Sequence, residues 1–554
     1  MSINIRSINW TAPVPHRGKY YRTAVATREQ LEDWKMDRAY LKKRGLGAWK
    51  DSGTWKLFLW TDTEAFQGDI AVAQDTLAAL PTIESTVGAC SLLPPQVPHV
   101  QCIVRALRSG NGAIDLSSTG CGKSICALVA AWNLGLTPVV ICPKAVIGSW
   151  EAWSARTGVK IYVMNYESAI RSKLPFLKRT KKDKPAYFKM EWSMRNPERY
   201  LVVLDECQKC KGMETIQGAI LSSIKRCKDL KVLCLSATIA QSPLDMKGLA
   251  YVLGWHTWDN WTSWLADNGC ISTKQTVKKK QFNARTKSHW TSKFEINVWR
   301  FVGGEKSLAN ISKRLLPRYG SALTTEDLSE FFPRNRVIPV ILKGDASVAQ
   351  LHEEIQVKLK ELAAQKRRDA SANNQSILTE LMRLQQEIEL RKLPDAISMA
   401  KDAAEDGKSV VFIATFTATI DAFKEATKSL EISGKVSDKQ GQIDAFQRDE
   451  NHFIALQIQS GATGVSLHSD REEMRPRVSI MMPSFDSRLM LQALGRIFRA
   501  NGKHDCLQHI LLHKDSKIDQ RLAEAIELKT GNISALNGYG AGLDLGINEY
   551  ALDA

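Results

Sequence analysis

The stretch that most constrains the fold is AIDLSSTGCGKSICALVAAW, residues 113–132, where a β-rich run leads through a glycine-containing loop into an alanine-rich helix. Backbone N–H groups of such a loop can surround phosphates only where side chains stay out of the way, which Gly120 and Gly122 permit. Lys123 would neutralise β- and γ-phosphates, and the Ser124 hydroxyl would ligate magnesium. The pattern predicts a phosphate-binding loop; the alternative is an ordinary glycine-rich turn before a helix.

Two candidate reactive pairs share residues 201–212, LVVLDECQKCKG. Cys207 and Cys210 form a C-x-x-C pair, which can indicate zinc or redox chemistry. Asp205 and Glu206 follow an apolar run and would lie at the carboxyl end of a strand, where open α/β sheets place their ligands. Zinc needs two further ligands, and no second C-x-x-C occurs in the chain. The carboxylates are therefore the predicted pair, with Asp205 holding magnesium and Glu206 polarising the attacking water.

The bulk composition indicates a soluble, multidomain protein with a polyanionic partner. The chain has 554 residues, 44% hydrophobic and 24% charged, enough for two or three packed domains. Its net charge of +17 would attract nucleic acid without selecting a sequence. No apolar run is long enough for a membrane span, and the first residues lack a signal-peptide core. The eleven cysteines favour reduced, buried thiols over a disulfide framework.

The order of apolar runs predicts three regions. Residues 1–88 contain five tryptophans and form an expected N-terminal accessory domain, either a compact β unit with an aromatic core or a nucleic-acid grip. Continuous apolar strands then alternate with helical stretches in two α/β units, which predicts two lobes with a cleft between them. We place lobe 1 at 89–310 and lobe 2 at 311–554, the latter beginning with a helical linker or protrusion that includes amphipathic helices over 345–393.

Three other segments have open interpretations. Residues 176–184 and 272–287 are basic and are expected to be loop-like insertions, serving either as a solvated face or as a phosphate grip. Four tryptophans spaced three apart favour packing within a helical protrusion over base stacking. They are Trp255, Trp258, Trp261 and Trp264.

Further short motifs occur in a fixed order around the loop and the carboxylates. LLPPQ precedes the loop, VVICPKAVIGSWEAW and VMNYE follow it, and LSATIAQSPLDM comes after the carboxylates. SGATGVSLH and QALGRIFRANGK stand in the second α/β unit. Together these segments resemble superfamily 2 helicase-like ATPases, most closely the Swi/Snf-type double-stranded DNA translocases and their phage relatives. The resemblance covers about residues 89–530.

The resemblance implies two RecA-like P-loop NTPase lobes in tandem, the second of helicase C-terminal type, with ATP and Mg²⁺ between them. It implies that Gln96 reads the adenine and that the second lobe supplies Gln492 and the arginine fingers Arg496 and Arg499. The remaining implied residues are phosphate-binding Thr119, Gly120, Cys121, Gly122, Lys123 and Ser124, magnesium ligands Ser124 and Asp205, and nucleic-acid contacts near Lys144, Thr238, Thr415 and Gly461. Three positions depart from the family pattern: Ser117 replaces a glycine, Gln208 a histidine and Gly495 an aspartate. The last departure indicates the helicase-like phage branch.

The leading hypothesis is an ATP-dependent translocase that moves along duplex or branched DNA without reading sequence. One alternative is a strand-separating helicase on DNA or RNA, with RNA the less favoured partner. The other is a nucleic-acid-binding scaffold with a residual ATPase fold, which intact Lys123, Asp205, Glu206, Arg496 and Arg499 argue against. The expected location is the cytoplasm of a bacterial or phage-infected cell, or the nucleus of a eukaryotic host, without membrane attachment.

Overall fold

The protein is described from a computed structural model. The structure describes residues 14–16, 19–27, 46–51, 54–61, 80–171, 173, 175–180, 190–212, 215–257, 259–283, 288–343, 347, 350, 353, 357, 374–461, 465–484, 486–514 and 516–537. The chain divides into two compact units, Met1–Leu80 and Pro81–Ala554. The first unit therefore ends eight residues before the boundary expected at residue 88.

The first unit is a four-stranded antiparallel sheet with the strand order β1-β2-β4-β3. Its strands are β1 (Val14–His16), β2 (Lys19–Val25), β3 (Leu46–Asp51) and β4 (Thr54–Thr61). Leu57 and Ala24 are buried in it. This agrees with the expected β-containing unit. Trp10 and Trp34 lie outside the described residues, so the aromatic core stays a prediction.

The first α/β lobe contains a six-stranded parallel sheet with the order β16-β7-β13-β12-β8-β9. Its central strand β12 has four consecutive fully buried residues, Leu201 to Leu204, because helices cover both faces of the sheet. The strands are β7 (Gly112–Asp115), β8 (Thr137–Cys142), β9 (Tyr162–Asn165), β12 (Tyr200–Asp205), β13 (Lys231–Leu235) and β16 (Gly320–Ser321). The short pairs β5 (Thr86–Val87) with β6 (Cys90–Ser91), and β10 (Leu177–Arg179) with β11 (Met190–Trp192), flank it.

The helices of this lobe connect and cover the strands. They are α1 (Gln96–Ser109), α2 (Lys123–Leu134), α3 (Ile147–Thr157), α4 (Tyr166–Ile170), α5 (Ile216–Ile224), α6 (Lys247–Val252), α7 (Trp261–Asp267) and α8 (Gly304–Leu315). Trp261 and Trp264 of α7 stack at 5.1 Å between ring centroids, and Trp264 is buried. The packing interpretation is therefore correct for these two rings; Trp258 lies outside the described residues.

Lobe 1 extends beyond the boundary predicted at residue 310. β16 pairs with β7 through Gly320↔Ile114 and completes the sheet. A two-residue strand has no periodicity that a sequence could reveal. Gly320 has a φ of +152°, and a Cβ there would lie 1.8 Å from the Ile114 carbonyl oxygen, so only glycine fits.

The basic segment 272–287 was expected to be a loop, and this was wrong for its described part. β14 (Cys270–Asn283) pairs with β15 (Ser288–Phe301) as an antiparallel two-stranded ribbon, which we call the β-arm. β-Branched and aromatic residues recur along both strands, and they favour paired strands despite the lysines between them. The other basic segment, 176–184, lies partly in β10 and partly outside the described residues.

The second lobe repeats the architecture with the strand order β17-β22-β21-β18-β20-β19, again all parallel. Its strands are β17 (Asn335–Leu342), β18 (Ser409–Ala414), β19 (Leu430–Ile432), β20 (Phe453–Gln457), β21 (Arg477–Met481) and β22 (Cys506–His513). Its helices are α9 (Asn374–Arg391), α10 (Leu393–Glu405), α11 (Thr417–Thr427), α12 (Lys439–Gln447), α13 (Ile458–Gly461), α14 (Ser487–Leu494) and α15 (Lys517–Asn537). Two parallel sheets flanked by helices make tandem RecA-like lobes. Of the amphipathic stretch 345–393, α9 is described, and most of the rest lies outside the described residues.

Helix α15 joins the two lobes. Leu522, Ala523 and Ile526 belong to the core of lobe 2, while the helix also packs along α8 of lobe 1. At its end, the Asn537 side-chain amide donates a hydrogen bond of 2.6 Å to the Ala237 carbonyl oxygen of lobe 1. Every helix among the described residues is too short or too polar to span a membrane.

Arg477, at the start of β21, forms an ion pair with Asp449, and replacing the arginine tests how much this pair stabilises lobe 2. Its side chain is 1% exposed, pairs with Asp449 at 2.6 Å and lies 4.4 Å from the centroid of the Phe446 ring. Arg477→Ala leaves Asp449 without its cation, and we expect a loss of about 3 kcal/mol in the free energy of unfolding, measured by urea denaturation. Arg448→Ala removes an exposed ion pair with Glu450 and is the control, which should change little.

The same pair predicts a pH dependence. Burial opposes ionisation of Asp449, but hydrogen bonds from the Arg475 backbone and from Arg477 outweigh it and lower the pKa. A lowered pKa stabilises the fold above the unfolded value of about 3.9, and this contribution is lost as the pH falls through the folded value. The stability gap between wild type and Arg477→Ala should therefore narrow below about pH 4. A gap that widens there would contradict the ion pair.

Candidate active site

The predicted phosphate loop follows β7 and ends at the start of α2. Gly120 and Gly122 have φ values of +89° and +87°, a left-handed conformation that glycine adopts without strain. Lys123, the first residue of α2, folds back so that its ammonium group donates to the carbonyl oxygens of Ser117 at 2.9 Å and Ser118 at 3.1 Å. These carbonyls hold the lysine charge over the loop.

Gln96 fastens the start of α1 to this loop. Its side-chain oxygen accepts from the Leu93 backbone N–H, and its side-chain nitrogen donates to the Cys121 carbonyl oxygen at 2.8 Å. A Cβ on Gly122 would lie 2.6 Å from that nitrogen and would displace the Gln96 amide, while the φ of +87° at this position itself favours glycine. Cys121 itself is buried beside Leu323 and Leu328, and burial raises the pKa of its thiol to about 12. Its contribution to the loop comes from its backbone.

Ser117, which replaces the glycine of the family pattern, has a structural role. Its hydroxyl accepts a hydrogen bond from the Leu323 N–H at 3.0 Å, and its own N–H donates to Asp115 at 2.9 Å. Asp115 in turn pairs with His99 of α1 at 3.1 Å. Burial opposes the charge of Asp115, but the attraction of His99 and Lys123 and the hydrogen bonds outweigh it and lower its pKa. The serine thereby ties the loop to the segment after β16.

Asp205 and Glu206 lie at the carboxyl end of β12, as the sequence predicted. The Trp150 indole N–H donates to the Asp205 carboxylate at 3.0 Å. Burial, followed by the neighbouring charge of Glu206, raises the pKa of Asp205 to about 6. Glu206 has a φ of +56°, uncommon for a residue other than glycine and typical of strained functional positions.

The Glu206 carboxylate is shared by both lobes. Gln208 of lobe 1 and Gln492 of α14 in lobe 2 donate to the same oxygen, at 2.5 and 2.8 Å. Gln208 also accepts from the Ser236 hydroxyl at 2.7 Å. One glutamine, in the position of the family's histidine, therefore links Glu206 to the Ser236–Thr238 segment.

Arg496 and Arg499 both donate to the Val465 carbonyl oxygen, at 2.7 and 3.0 Å. Burial lowers the pKa of Arg496 to about 9, with the charge of Arg499 adding to the effect. Burial also lowers the pKa of Arg499 to about 10. Desolvated guanidinium groups of this kind are suited to neutralising an anion that enters the cleft.

The sixth-motif segment 492–503 packs directly on the phosphate loop. A Cβ on Gly120 would lie 3.3 Å from the Arg499 Cα, and a Cβ on Gly495 would lie 2.5 Å from the Thr119 methyl. The Gln241 side chain of lobe 1 also donates to the Ser487 hydroxyl of lobe 2 at 2.9 Å. The glycine at 495, where the family has aspartate, is thus explained by the Thr119 methyl.

The four predicted nucleic-acid contacts have different surroundings. Lys144 is exposed at the end of β8, and Gly461 ends α13. Thr238 and Thr415 each have a buried hydroxyl without a hydrogen-bond partner among the described residues. Glu389 of α9 accepts from the Thr415 N–H at 2.8 Å and from Phe416 and Thr419. The predicted contact through Thr238 remains a prediction and requires this segment to become exposed.

The cysteine alternative has no geometric support among the described residues. Cys207 and Cys210 are free, buried thiols. A hydrogen bond with Cys234, followed by burial, raises the pKa of Cys207, and burial raises the pKa of Cys210. Among the described residues, no His, Cys, Asp and Glu side chains gather there in a metal-binding group. His509 and His513 have H-x-x-x-H spacing but lie on strand β22, not on one face of a helix. The carboxylates are the pair that reaches the cleft.

Sequence reasoning missed several residues of the site. Trp150, Ser236, Gln241, Ser487 and Glu389 all hold a predicted residue or bridge the lobes. Each is an ordinary polar or aromatic residue whose partner is distant in sequence, so no local signal identifies it. The departures at Ser117, Gln208 and Gly495 were visible in the sequence, but their structural reasons were not.

Similarity to known proteins identifies the family of this chain. A protein of Acanthamoeba polyphaga mimivirus with the provisional name ATP-dependent RNA helicase is 30% identical over 482 residues, covering 82% of this chain and 85% of the relative. No protein-family model matches the chain. The Sulfolobus solfataricus SWI2/SNF2 ATPase core in complex with dsDNA is 16% identical with a TM-score of 0.32, covering 82% of this chain and 96% of that one. The SWI2/SNF2 ATPase core domain of the same organism is also 16% identical, with a TM-score of 0.31 and coverages of 80% and 91%.

The chain is 30% identical to a viral helicase relative over most of both chains. It also has two RecA-like lobes that meet at a phosphate loop. The chain belongs to the superfamily 2 helicase-like ATPases.

Proposed function

We propose that this protein hydrolyses ATP between its two lobes and couples hydrolysis to movement along nucleic acid, with duplex or branched DNA as the substrate. The observation that supports it most directly is the Glu206 carboxylate held by Gln208 from one lobe and Gln492 from the other. A catalytic base that both lobes position makes hydrolysis depend on how the lobes meet.

The phosphate loop and the segment 492–503 would contribute different contacts to ATP. Lys123, with the backbone N–H groups from Thr119 to Ser124, would bind the phosphates, and Gln96 would contact the adenine. Arg496 and Arg499 would leave the Val465 carbonyl for the γ-phosphate, because the anion is a stronger acceptor than a neutral oxygen. Their desolvation makes that exchange favourable.

Magnesium fits the residues present. Ser124 and Asp205 offer the hydroxyl and carboxylate oxygens that this cation prefers, and the raised pKa of Asp205 is that of a buried carboxylate that would be stabilised by a cation. When bound, Mg²⁺ would neutralise charge that develops on the phosphates. Glu206 would then orient and deprotonate the attacking water.

Movement would follow from the two-lobe geometry. Nucleotide favours the closed arrangement because only there do Arg496 and Arg499 approach the phosphate loop, and hydrolysis removes that preference. Gln208 joins Glu206 to Ser236, so a change at the carboxylate reaches the Ser236–Thr238 segment through two hydrogen bonds. This segment and the region near Thr415 are the proposed contacts with the nucleic-acid backbone, which is read without sequence preference.

The partner is DNA in this proposal, and the specific alternative is RNA. The net charge of +17 suits either polyanion. The Swi/Snf-like motif order favours duplex DNA, whereas the provisional name of the mimivirus relative is that of an RNA helicase. A strand-separating helicase is the second candidate activity.

Substitutions at the cleft should separate ATP binding from hydrolysis. Glu206→Gln removes the base but keeps the side-chain shape, so we expect retained ATP binding and about 10²-fold or greater loss of turnover. Lys123→Ala removes the phosphate cation and should abolish turnover and weaken binding. Arg496→Ala should lower turnover about 10³-fold without unfolding the protein. Fluorescent-nucleotide binding and phosphate release measure the two steps. Wild-type turnover in any of these variants would exclude its assigned role.

The Gly495–Thr119 contact predicts a rescue experiment. Gly495→Ala adds a Cβ that would lie 2.5 Å from the Thr119 methyl, so segment 492–503 must move away from the phosphate loop. We expect lower ATPase activity with unchanged global stability. Thr119→Gly in the same chain removes the obstructing side chain and should restore part of the activity. If the two changes are additive rather than compensating, the contact does not control activity.

The nucleic-acid partner is tested by ATPase stimulation at one fixed salt concentration. Single-stranded DNA, duplex DNA, branched DNA and RNA of equal length are compared, because affinity for each falls steeply with salt. We expect the largest stimulation by duplex or branched DNA. Stimulation by RNA alone would replace DNA with RNA, and strand displacement from a labelled duplex would establish the helicase alternative.

A further inference from the structure

The β-arm is a long ribbon that leaves the lobe 1 sheet. Its fourteen register pairs run without interruption from Cys270↔Phe301 to Asn283↔Ser288. At about 3.4 Å per residue this is a length of roughly 44 Å. The base is anchored: Cys270 is buried in the lobe 1 core, with Trp299 and Phe301 packed against it.

Next to the base, at residues 271–275, both faces of the arm meet solvent. Residues 271–275 are five consecutive exposed positions, and since neighbours in a strand point to opposite faces, neither face is covered there. Ile271 is 49% and Ile296 44% exposed. An isolated two-stranded ribbon is marginally stable in water and leaves its strand edges open. Such an element is expected to have a partner.

The charge of the arm identifies the chemistry of that partner. Residues 270–301 contain eight lysines and arginines and one acidic residue, a net charge of +7 out of the chain's +17. The acidic residue, Glu295, is 3.4 Å from Lys274, with both side chains more than 60% exposed, so the pair neutralises little. Lys278 and Lys293 take directly opposite register positions, which is unfavourable for like charges unless an anion lies between or beside them.

The base of the arm adjoins the elements that connect the lobes. β15 packs on the turn Pro243–Met246, which follows the Ser236–Thr238 segment. Asp245 in that turn pairs with Lys211 at 2.9 Å and accepts from the Gln241 N–H. Gln241 in turn donates to Ser487 of lobe 2. A force on the arm would therefore act next to the junction between the lobes.

We propose that the β-arm is a second nucleic-acid contact that binds the phosphate backbone outside the cleft, through Lys278, Lys280 and Lys293, which the strand register places on one face of the ribbon. This rests on the proposed function, since it assumes that nucleic acid is the protein's partner. The shared chemistry is the phosphodiester backbone, whether of DNA or of RNA. This contact extends the length of nucleic acid that the protein binds, and it is independent of base sequence.

The test is the salt dependence of binding. The triple substitution Lys278→Gln, Lys280→Gln and Lys293→Gln is compared with wild type by fluorescence anisotropy on duplex DNA and duplex RNA between about 50 and 200 mM KCl. Each phosphate contact contributes about 0.9 to the slope of log Kobs against log salt, so the slope should become shallower by about 2.7. Lys280→Gln alone should change it by about 0.9.

The matched control neutralises three exposed lysines elsewhere, Lys160→Gln, Lys228→Gln and Lys401→Gln, and should leave the slope unchanged. ATPase activity without nucleic acid should match wild type in both triple variants. An unchanged slope in the arm variant, with wild type binding and stimulated normally, overturns the arm proposal alone; the lysines then only protect a strand edge. Wild-type protein that binds neither nucleic acid overturns both this proposal and the proposed function.

Discussion

The site depends on one carboxylate that two lobes position together. Glu206 stands at the end of a strand that is buried on both faces, so its backbone has little freedom. Its side chain accepts from Gln208 of its own lobe and from Gln492 across the cleft. A half-buried charge of this kind is stabilised by its donors, and removing either leaves a partly unsatisfied anion. The meeting of the lobes is therefore a requirement of the carboxylate as well as a consequence of packing.

Close backbone approach is the second constraint. Gly120, Gly122 and Gly495 all stand where a Cβ would contact another part of the cleft at 3.3 Å or less. Ser117 adds a hydrogen bond where the family has a glycine, and it ties the loop to Leu323. The loop is thus held from three sides: by Gln96, by the segment after β16 and by lobe 2.

The sequence predicted the parts of this protein whose signals are local. Glycines beside a lysine, and an apolar run before Asp205, are enough to place a phosphate loop and a catalytic strand end. The arginines of the second lobe came from the family resemblance, and the structure places them beside the loop. Trp150 and Glu389 could not be predicted, because their hydrogen-bond partners are set by tertiary packing. Strand β16 was missed because a two-residue strand is too short to show a hydrophobic periodicity. The β-arm was missed because a run of lysines resembles a solvated loop.

The Val465 carbonyl oxygen has a consequence beyond its two hydrogen bonds. It lies one residue past the undescribed stretch 462–464 and is the common acceptor of Arg496 and Arg499. A displacement of that peptide would change the hydrogen bonding of both guanidinium groups at once, while Arg496 would keep the bond from its Nε to the Gln492 carbonyl oxygen at 2.7 Å. The trigger would be a main-chain oxygen, which no side-chain substitution can delete.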